Sequence, residues 1–184
     1  PALQIQRPLA TSSGKTIGAL PDRRFVRLLT FFAGRTLDRV RPHTNELLQS
    51  LGVMLAQIDL ALQSFSHPFA KHDLKWNLAK PESMVAFIKS IEDETRREIV
   101  TEHFQRFSDH VGPKLAQLPW SVIHGDANDH NIIVNGKGYD ARVTSIIDFG
   151  DALFAPTICD LAIALAYAML DKPDPIRAAS HVVQ

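Results

Sequence analysis

The clearest folding signal in this sequence is a pair of short apolar runs separated by turn-forming residues. The runs are Ile132 to Val134 and Val143 to Ile147, and Asn135-Gly136-Lys137-Gly138 lies between them. Branched apolar residues favour strands, and an Asn-Gly pair between two such runs favours an antiparallel hairpin. In such a hairpin the start of the first strand lies beside the end of the second. The pattern therefore predicts that Asn131 and Asp148 are neighbours.

Polar side chains gather at the open end of this predicted hairpin. Asp126 lies on the segment that leads into the first strand, while Asn131 and Asp148 flank the strands themselves. Two carboxylates and a carboxamide offer only oxygen atoms, which suit a hard cation such as Mg²⁺ and not Zn²⁺. Because Mg²⁺ commonly serves phosphate chemistry in proteins, the pattern indicates phosphate chemistry.

Around the hairpin, the sequence predicts strands near the start and helices through the middle. Apolar residues at helical spacing between Leu47 and Leu62 predict a long helix with Thr44 as its cap. Turn-forming residues and prolines set the other boundaries. The predicted elements are a hairpin over 3–17, a strand over 24–32, and helices over 44–64, from Pro81, over 94–111 with Ile99 inward, and over 160–170.

Composition and charge exclude several classes of function. The chain has 184 residues, with 20 Lys+Arg dispersed among 20 Asp+Glu, so it carries no electrostatic footprint for nucleic acid. The longest apolar stretch, 158–170, is short for a bilayer span and contains Asp160, so no membrane partner is expected. The single cysteine, Cys159, cannot form an internal disulfide, which favours a cytoplasmic location.

Two motifs resemble those of a known group of small-molecule kinases. His-Gly-Asp-x4-Asn at 124–131, followed by Ile-Asp-Phe-Gly-Asp at 147–151, is similar to the aminoglycoside phosphotransferase and choline kinase family. The stretches HGDANDHNIIV, IIDFGDA, LLTFFAGRTL and HPFAKHDLKW are most similar to the hydroxylysine kinase branch of that family. The resemblance runs from about Leu3 to Met169 and so covers most of the sequence.

The resemblance implies an α+β, protein-kinase-like bilobal fold. Residues 1–29 would be the terminal strands of the N-terminal lobe, 30–35 the connector between the lobes, and 36–184 a mainly helical C-terminal lobe containing the catalytic β-hairpin. The nucleotide loop and the last helices of such folds have no counterpart here, so the chain is expected to be truncated at both ends. Such modules also occur fused to class III aminotransferases, which suggests an associated aminotransferase domain.

Carried over to matching positions, the resemblance gives roles to the polar residues. Asp126 becomes the catalytic base that accepts the proton of the substrate hydroxyl, and Asn131 and Asp148 become the Mg²⁺ ligands. His124 and Asp160 would support the catalytic loop. For Asp160 the alternative is a plain helix N-cap.

The resemblance also implies a nucleotide site for ATP or GTP. The backbone of Thr30, Phe31 and Phe32 would read the purine edge, and the hydroxylysine kinase branch is associated with GTP. Ile133 and Ile147 would pack on the base, although two isoleucines are equally well explained as core residues.

The acceptor implied by the resemblance is a small amine or amino alcohol. 5-Hydroxylysine is the first candidate, with homoserine, ethanolamine or choline, and aminoglycosides as alternatives. Asp151 and Asp129 are candidates for pairing with the substrate ammonium group, and Trp76 for a wall of the pocket. A solvated carboxylate is the favoured alternative for Asp129, and a core residue is the alternative for Trp76.

Two other functions fit the same residues. The chain would be a catalytically inactive fragment or binding module of the same fold if it lacked a complete nucleotide site. His124, Asp126, Asp129 and His130 also resemble the metal-binding loop of zinc hydrolases, although their spacing differs from that of such loops by a residue.

Overall fold

Short strands open the chain, helices fill its middle, and further strands precede the last helices. The computed structural model describes residues 3–184, so Pro1 and Ala2, at the start of the predicted N-terminal strands, lie outside the described residues. The strands are β1 (Pro8–Leu9), β2 (Gly18–Ala19), β3 (Phe25–Val26), β4 (Leu28–Leu29), β5 (Arg35–Thr36), β6 (Trp120–Ile123), β7 (Ile132–Asn135), β8 (Arg142–Ile146) and β9 (Leu153–Pro156). The α-helices are α1 (Asn45–Leu62), α2 (Glu82–Ile88), α3 (Glu94–Arg106), α4 (Gly112–Leu115), α5 (Ile158–Met169) and α6 (Pro175–Val182). Within residues 3–184, no helix combines the length and the apolar character that a bilayer span requires.

Two compact units share the chain, and each is assembled from separate segments. The first comprises residues 1–54, 128–148 and 167–184, and the second comprises residues 55–127 and 149–166. The motif at residues 124–131 is therefore divided: Asp126 belongs to the second unit, whereas Asn131 belongs to the first. Asp148, from the later motif, also belongs to the first unit.

The first unit contains an antiparallel sheet in the order β5, β7, β8. β7 and β8 form the hairpin predicted from the apolar runs, with Ile132 opposite Ile146. Most residues of both strands are buried, as expected where branched apolar side chains occupy both faces of a sheet. The hairpin prediction is thus confirmed, and the residues just beyond the paired strand ends lie at one edge of the sheet.

α1 confirms the long helix predicted over residues 44–64. Thr44 caps it, since its Oγ1 accepts a hydrogen bond from the amide of Leu47 at 3.2 Å. Leu47, Leu48 and Leu51 are at most 2% exposed. Their helical spacing places them on one apolar face, which is the main reason that a helix forms here.

Gly52 of α1 packs against the backbone of Val182 in α6, and we expect Gly52→Ala to destabilise the protein. A methyl group at this position would collide with the Val182 carbonyl oxygen. Alanine ordinarily stabilises a helix by about 1 kcal/mol relative to glycine, but overpacking a tight contact costs about 1–3 kcal/mol. Urea unfolding should therefore show a net loss of stability.

The matched control for Gly52→Ala is Val53→Ala on the same helix, because the Val53 side chain is 57% exposed. It should change the free energy of unfolding by less than about 0.5 kcal/mol. A Gly52→Ala variant as stable as the parent chain would contradict the close approach of the two helices.

The N-terminal strands pair differently from the prediction. β1 pairs with β4, and β2 pairs with β3, so the hairpin predicted within residues 3–17 is wrong. Its turn exists, because the amide of Thr11 donates to the Lys15 carbonyl oxygen at 2.8 Å. The strand partners come instead from the phenylalanine, valine and leucines of β3 and β4, which favour strands more than the polar residues after the turn. β3 and β4 are separate strands on either side of Arg27, since β3 pairs with β2 and β4 pairs with β1.

The helical path predicted over residues 94–111 extends further than expected. A π-helical turn, Phe107–Val111, follows α3 and leads into α4, so Gly112 and Pro113 do not end it. The proline is tolerated because it lies in the first turn of α4, where its missing amide has no helical partner to lose. Ile99, predicted to face inward, is 50% exposed, and that prediction is wrong.

β6 and β9 form an antiparallel pair in the second unit, with Ile123 opposite Leu153. These two residues are buried in one apolar cluster with Ala155 and Cys159. The cluster fixes the end of β6, from which the chain continues directly into residues 124–127.

Candidate active site

A loop that leaves β6 carries Asp126 in the second unit. His124 is fully buried and Asp126 is partly buried. Gly125 between them has φ +80°, in the left-handed region that favours glycine. A side chain at Gly125 would meet the Leu153 side chain and would lie 2.6 Å from the Asp151 carbonyl oxygen. The glycine is therefore required by both the backbone conformation and the close packing of this loop.

Asp160 holds the backbone of this loop. Its Oδ2 accepts a hydrogen bond from the amide of His124, and its Oδ1 accepts one from the amide of Gly125, each at 2.9 Å. Asp160 is fully buried and lies inside α5, which begins at Ile158. Its carboxylate is thus directed to the loop and not to the amides of its own helix, so the N-cap alternative does not describe this residue.

The His124 side chain completes the local geometry of the loop. The amide of Asp126 donates to Nδ1 of His124 at 3.2 Å, and the His124 ring lies edge-on to Phe149, with 4.6 Å between the ring centroids. One ring nitrogen is therefore occupied in orienting the backbone that carries the Asp126 carboxylate.

Asp59 is an acidic residue of this region that the sequence analysis did not single out. It lies on α1, and one of its side-chain oxygens, Oδ1, is buried without a hydrogen-bond partner among the described residues. Burial, followed by the charge of Asp160, raises the pKa of Asp59 to about 7. Burial and the same charge raise the pKa of the Cys159 thiol to about 11. A recognisable sequence signal existed, because Asp59 directly follows Ile58 and lies one helical turn after Leu55, on the apolar side of an otherwise ordinary amphipathic pattern.

Asn131 and Asp148 lie at the open edge of the hairpin in the first unit. The amide of Ile147 donates to the Asn131 carbonyl oxygen at 2.9 Å, which continues the strand pairing beyond β7 and β8. Asp148 has φ +65°, an unusual left-handed conformation for a residue with a side chain, and its amide donates to the Gln6 side-chain oxygen at 3.1 Å. Left-handed conformations of this kind cluster at functional sites.

Hydrogen bonds from within the turn and from Asp38 fix the turn before β7. Asn128 Oδ1 accepts hydrogen bonds from the amides of His130 and Asn131 at 2.8 and 3.2 Å. The carbonyl oxygen of Asp129 accepts a hydrogen bond from the amide of Asp38 at 3.3 Å. The Asp129 side chain is 19% exposed, and its Oδ1 lies 3.9 Å from Nε2 of His130, so it is only partly solvated.

A basic network in the first unit is influenced by the charge of Asp129. Nζ of Lys172 lies 2.8 Å from Nδ1 of His43, and the Asp129 charge acts on both residues. Burial, together with the neighbouring charges of Lys172 and Arg41, lowers the pKa of His43. A neutral His43 can accept the lysine hydrogen bond, and its Nε2, 3.1 Å from the Leu37 carbonyl oxygen, can donate.

The residues predicted to contact a nucleotide have different environments. Ile133 is 6% exposed and Ile147 is partly buried. Thr30 Oγ1 accepts a hydrogen bond from the amide of Arg7 at 3.0 Å. Phe31 is 88% exposed, whereas Phe32 is partly buried. Both were predicted to end a strand over 24–32, but β3 and β4 end before them.

The remaining candidates for acceptor binding belong to the second unit. Asp151 ends a short helical turn, Phe149–Asp151, and its backbone lies against Gly125. Trp76 is 52% exposed, so the alternative that it is a core residue is wrong. An exposed indole ring is available for contact with another molecule.

The zinc-hydrolase hypothesis and the Mg²⁺ hypothesis require different sets of metal-binding side chains. Among residues 3–184, no group of three or more His, Cys, Asp and Glu side chains is arranged to hold a metal ion, which gives the zinc-hydrolase hypothesis no support. Asn131 with Asp148 is instead a carboxamide and one carboxylate at adjacent strand ends. Their oxygen donors fit Mg²⁺, which usually takes one or two carboxylates and fills its other positions with water and phosphate oxygens.

Sequence comparison relates almost the whole chain to one family. Residues 2–182 match the family model described as APH, the phosphotransferase enzyme family. The chain is also similar to hydroxylysine kinase of Mus musculus, with 32% identity over 168 residues that cover 86% of this chain and 44% of that protein. The chain spans about half the length of the curated relatives that it matches.

Solved structures of small-molecule kinases share this fold. The microcompartment-associated aminopropanol kinase is 17% identical, with a TM-score of 0.67 over 98% of this chain and 57% of that chain. An amicoumacin kinase in complex with AMP-PNP, Ca²⁺ and Ami is 16% identical, with a TM-score of 0.62 over 98% of this chain and 55% of that chain. The α+β, protein-kinase-like fold expected from the sequence motifs is thus confirmed.

Proposed function

Because the chain belongs to the phosphotransferase enzyme family, we propose that it acts as a small-molecule kinase. It would transfer the terminal phosphoryl group of ATP or GTP to a hydroxyl of a small amino compound. The observation that carries this proposal is the loop at residues 124–126, whose backbone is held by the buried Asp160 so that Asp126 follows a fixed glycine turn.

In the proposed reaction, Asp126 is the base. As the acceptor oxygen approaches the terminal phosphorus, its proton passes to the Asp126 carboxylate. The new oxygen–phosphorus bond forms while the bond to the bridging oxygen breaks, and the nucleoside diphosphate leaves with that electron pair. Little covalent assistance is needed in such transfers, so a positioned carboxylate and charge stabilisation suffice. The transfer is direct, without a phosphorylated enzyme intermediate.

Asn131 and Asp148 are the proposed ligands of Mg²⁺. When bound, the ion supplies neutralisation of the charge on the nucleotide phosphates. The chain's own contribution is to keep both oxygen donors at one edge of the hairpin, where the strand pairing between Asn131 and Ile147 limits their separation.

Nucleotide and acceptor contacts follow the family pattern. Thr30 to Phe32 would contact the base through the backbone, with Ile133 and Ile147 packing on it. The AMP-PNP bound to the similar amicoumacin kinase supports a nucleotide co-substrate. Asp151, Asp129 and Trp76 stay proposals for the acceptor site.

A 5-hydroxylysine-like acceptor is the first candidate. It is favoured by the similar hydroxylysine kinase and by the similar aminopropanol kinase, because both names denote an amino alcohol substrate. A cytoplasmic location is also proposed. It is consistent with the single cysteine, Cys159, which is buried and forms no disulfide. Association with an aminotransferase domain stays a prediction.

The proposal is tested by measuring nucleoside diphosphate release with hydroxylysine, homoserine, ethanolamine, choline and an aminoglycoside, each with ATP and with GTP. We expect turnover that requires Mg²⁺ and is fastest with hydroxylysine. Calorimetry with Mg²⁺ and each nucleotide, on the same protein, shows whether the chain binds nucleotide at all. Nucleotide binding without transfer to any acceptor would favour a binding module over a kinase.

A further inference from the structure

The segment that precedes β1 lies along one edge of β8 in the first unit. Oγ of Ser145 donates a hydrogen bond to the Gln4 carbonyl oxygen at 2.9 Å, and Ile5 forms a parallel bridge with Ile146. Ser145 and Ile146 are both fully buried. Because β7 pairs with the other edge of β8, these contacts hold the segment against the edge that β7 leaves open. The next residue of the segment, Gln6, is thereby brought to the end of β8.

The side chain of Gln6 contacts the backbone of a proposed metal ligand. Its carboxamide oxygen accepts a hydrogen bond from the amide of Asp148 at 3.1 Å. A backbone amide can only donate, so the contact requires the oxygen of the Gln6 carboxamide and not its NH₂ group. Gln6 is partly buried, whereas Gln4, two residues earlier, is exposed and contacts Ser145 through its backbone. The two glutamines of this segment therefore differ in what their side chains do.

The backbone conformation of Asp148 explains why a contact at its amide matters. The amide of the preceding residue, Ile147, still continues the strand pairing by donating to the Asn131 carbonyl oxygen at 2.9 Å. Asp148 then turns to φ +65°, a left-handed conformation that side chains disfavour. Such a conformation persists only where surrounding contacts hold it. It also sets the direction in which the carboxyl side chain leaves the backbone at this sheet edge.

We propose that Gln6 is a positioning residue for Asp148. Its side-chain oxygen holds the Asp148 amide in the left-handed turn and so keeps the carboxylate in place, with Asn131, as a ligand of Mg²⁺. The inference rests on the proposed function, because it takes Asp148 as a metal ligand. Gln6 acts through the backbone of that ligand, and groups that orient metal ligands commonly contribute about 10–100-fold to metal affinity.

Hydrogen exchange at the Asp148 amide tests the contact itself, without metal or substrate. Gln6→Met keeps the length of the side chain and removes the oxygen acceptor. Protection of the amide should fall about 2–10-fold, the usual contribution of one hydrogen bond. Gln6→Glu keeps an acceptor oxygen at the same reach and should retain the protection. The matched control is Gln4→Met, which makes the same change at an exposed side chain of the same segment and should exchange like the parent chain.

Binding of Mn²⁺, a paramagnetic substitute for Mg²⁺, tests whether the contact serves the metal. With AMP-PNP present, electron paramagnetic resonance should show that Gln6→Met binds Mn²⁺ about 10–100-fold more weakly than the parent chain. Its affinity for AMP-PNP without metal should be unchanged, because only the metal ligand loses its support. Gln4→Met should match the parent chain in both measurements. A merely structural loss would instead lower both affinities of Gln6→Met together.

Three results would overturn the role of Gln6 alone: unchanged protection of the Asp148 amide in Gln6→Met, lost protection with the parent affinity for Mn²⁺, and an equal loss of both affinities. If Gln6→Met does not fold, Gln6→Asn replaces it, because its oxygen is one carbon short of the amide. A parent chain that binds no Mn²⁺ with AMP-PNP would contradict the metal site of the proposed function, and this inference with it. The parent chain thus distinguishes the two failures.

Discussion

Replacing Asp126 by Asn is expected to lower the rate of phosphoryl transfer by about 10²–10⁴-fold, the usual contribution of a positioned general base. The two side chains have nearly the same shape, but a carboxamide does not accept the proton of the acceptor hydroxyl. The loop should keep its conformation, because Asp160 holds the amides of His124 and Gly125, and the Asp126 amide itself donates to His124. The loss should therefore fall on kcat, with little change in the affinity for nucleotide.

The control for Asp126→Asn is Asp140→Asn, which makes the same chemical change at an exposed position between β7 and β8. This variant should transfer phosphoryl groups at the parent rate. Steady-state kinetics and nucleotide calorimetry on both variants separate loss of the base from loss of binding. If Asp126→Asn turns over at close to the parent rate, another group takes the proton and the assignment to Asp126 is wrong.

Local sequence patterns were sufficient for the elements that position the candidate metal ligands. The hairpin of β7 and β8 follows from two apolar runs and an Asn-Gly turn, which act between neighbouring residues. Once that hairpin is accepted, antiparallel pairing places Asn131 beside the residues that follow β8. α1 was equally predictable, since its apolar face repeats over many turns.

Pairings between distant segments were not predictable in the same way. The residues around Gly14 predict a turn, but they do not determine which strands pair on either side of it. In the structure, β1 pairs with β4. The charge of Asp160 acts on Asp59, although the helices that carry these residues are far apart in sequence. The acidic residue among apolar neighbours was visible, but its partner was not. Gly125 likewise shows its packing against Asp151 and Leu153 only in the folded chain.

Burial of Asp59, followed by the charge of Asp160, also gives the stability of the chain a defined pH dependence. The pKa of Asp59 is raised from its ordinary value of 3.8 to about 7 in the folded state, so the folded chain holds a proton that the unfolded chain releases. The stabilisation from this group is complete below about pH 4 and is lost as the pH rises through about 7. Stability should therefore decrease with rising pH over this interval, opposite to the behaviour of an ordinary salt-bridged carboxylate.

Replacing Asp160 by Asn is expected to lower the free energy of unfolding by about 2–4 kcal/mol at about pH 6. The carboxylate serves the amides of His124 and Gly125 with separate oxygens, whereas a carboxamide has a single acceptor oxygen. One buried amide would lose its partner, and the other bond would lose its charge. Removing the charge of Asp160 also removes the second cause of the raised pKa of Asp59, so stability should depend less steeply on pH. Urea unfolding at about pH 5 and about pH 8 measures both effects.

Asp174→Asn is the matched control for this prediction, because Asp174 caps α6 by accepting a hydrogen bond from the amide of Arg177 at 3.0 Å. Asparagine caps helices about as well as aspartate, so this variant should lose less than about 0.5 kcal/mol. The two substitutions are chemically identical and differ only in the number of amides that the side chain must satisfy and in its burial. If Asp160→Asn costs no more than Asp174→Asn, the two hydrogen bonds of Asp160 do not hold the loop that carries Asp126.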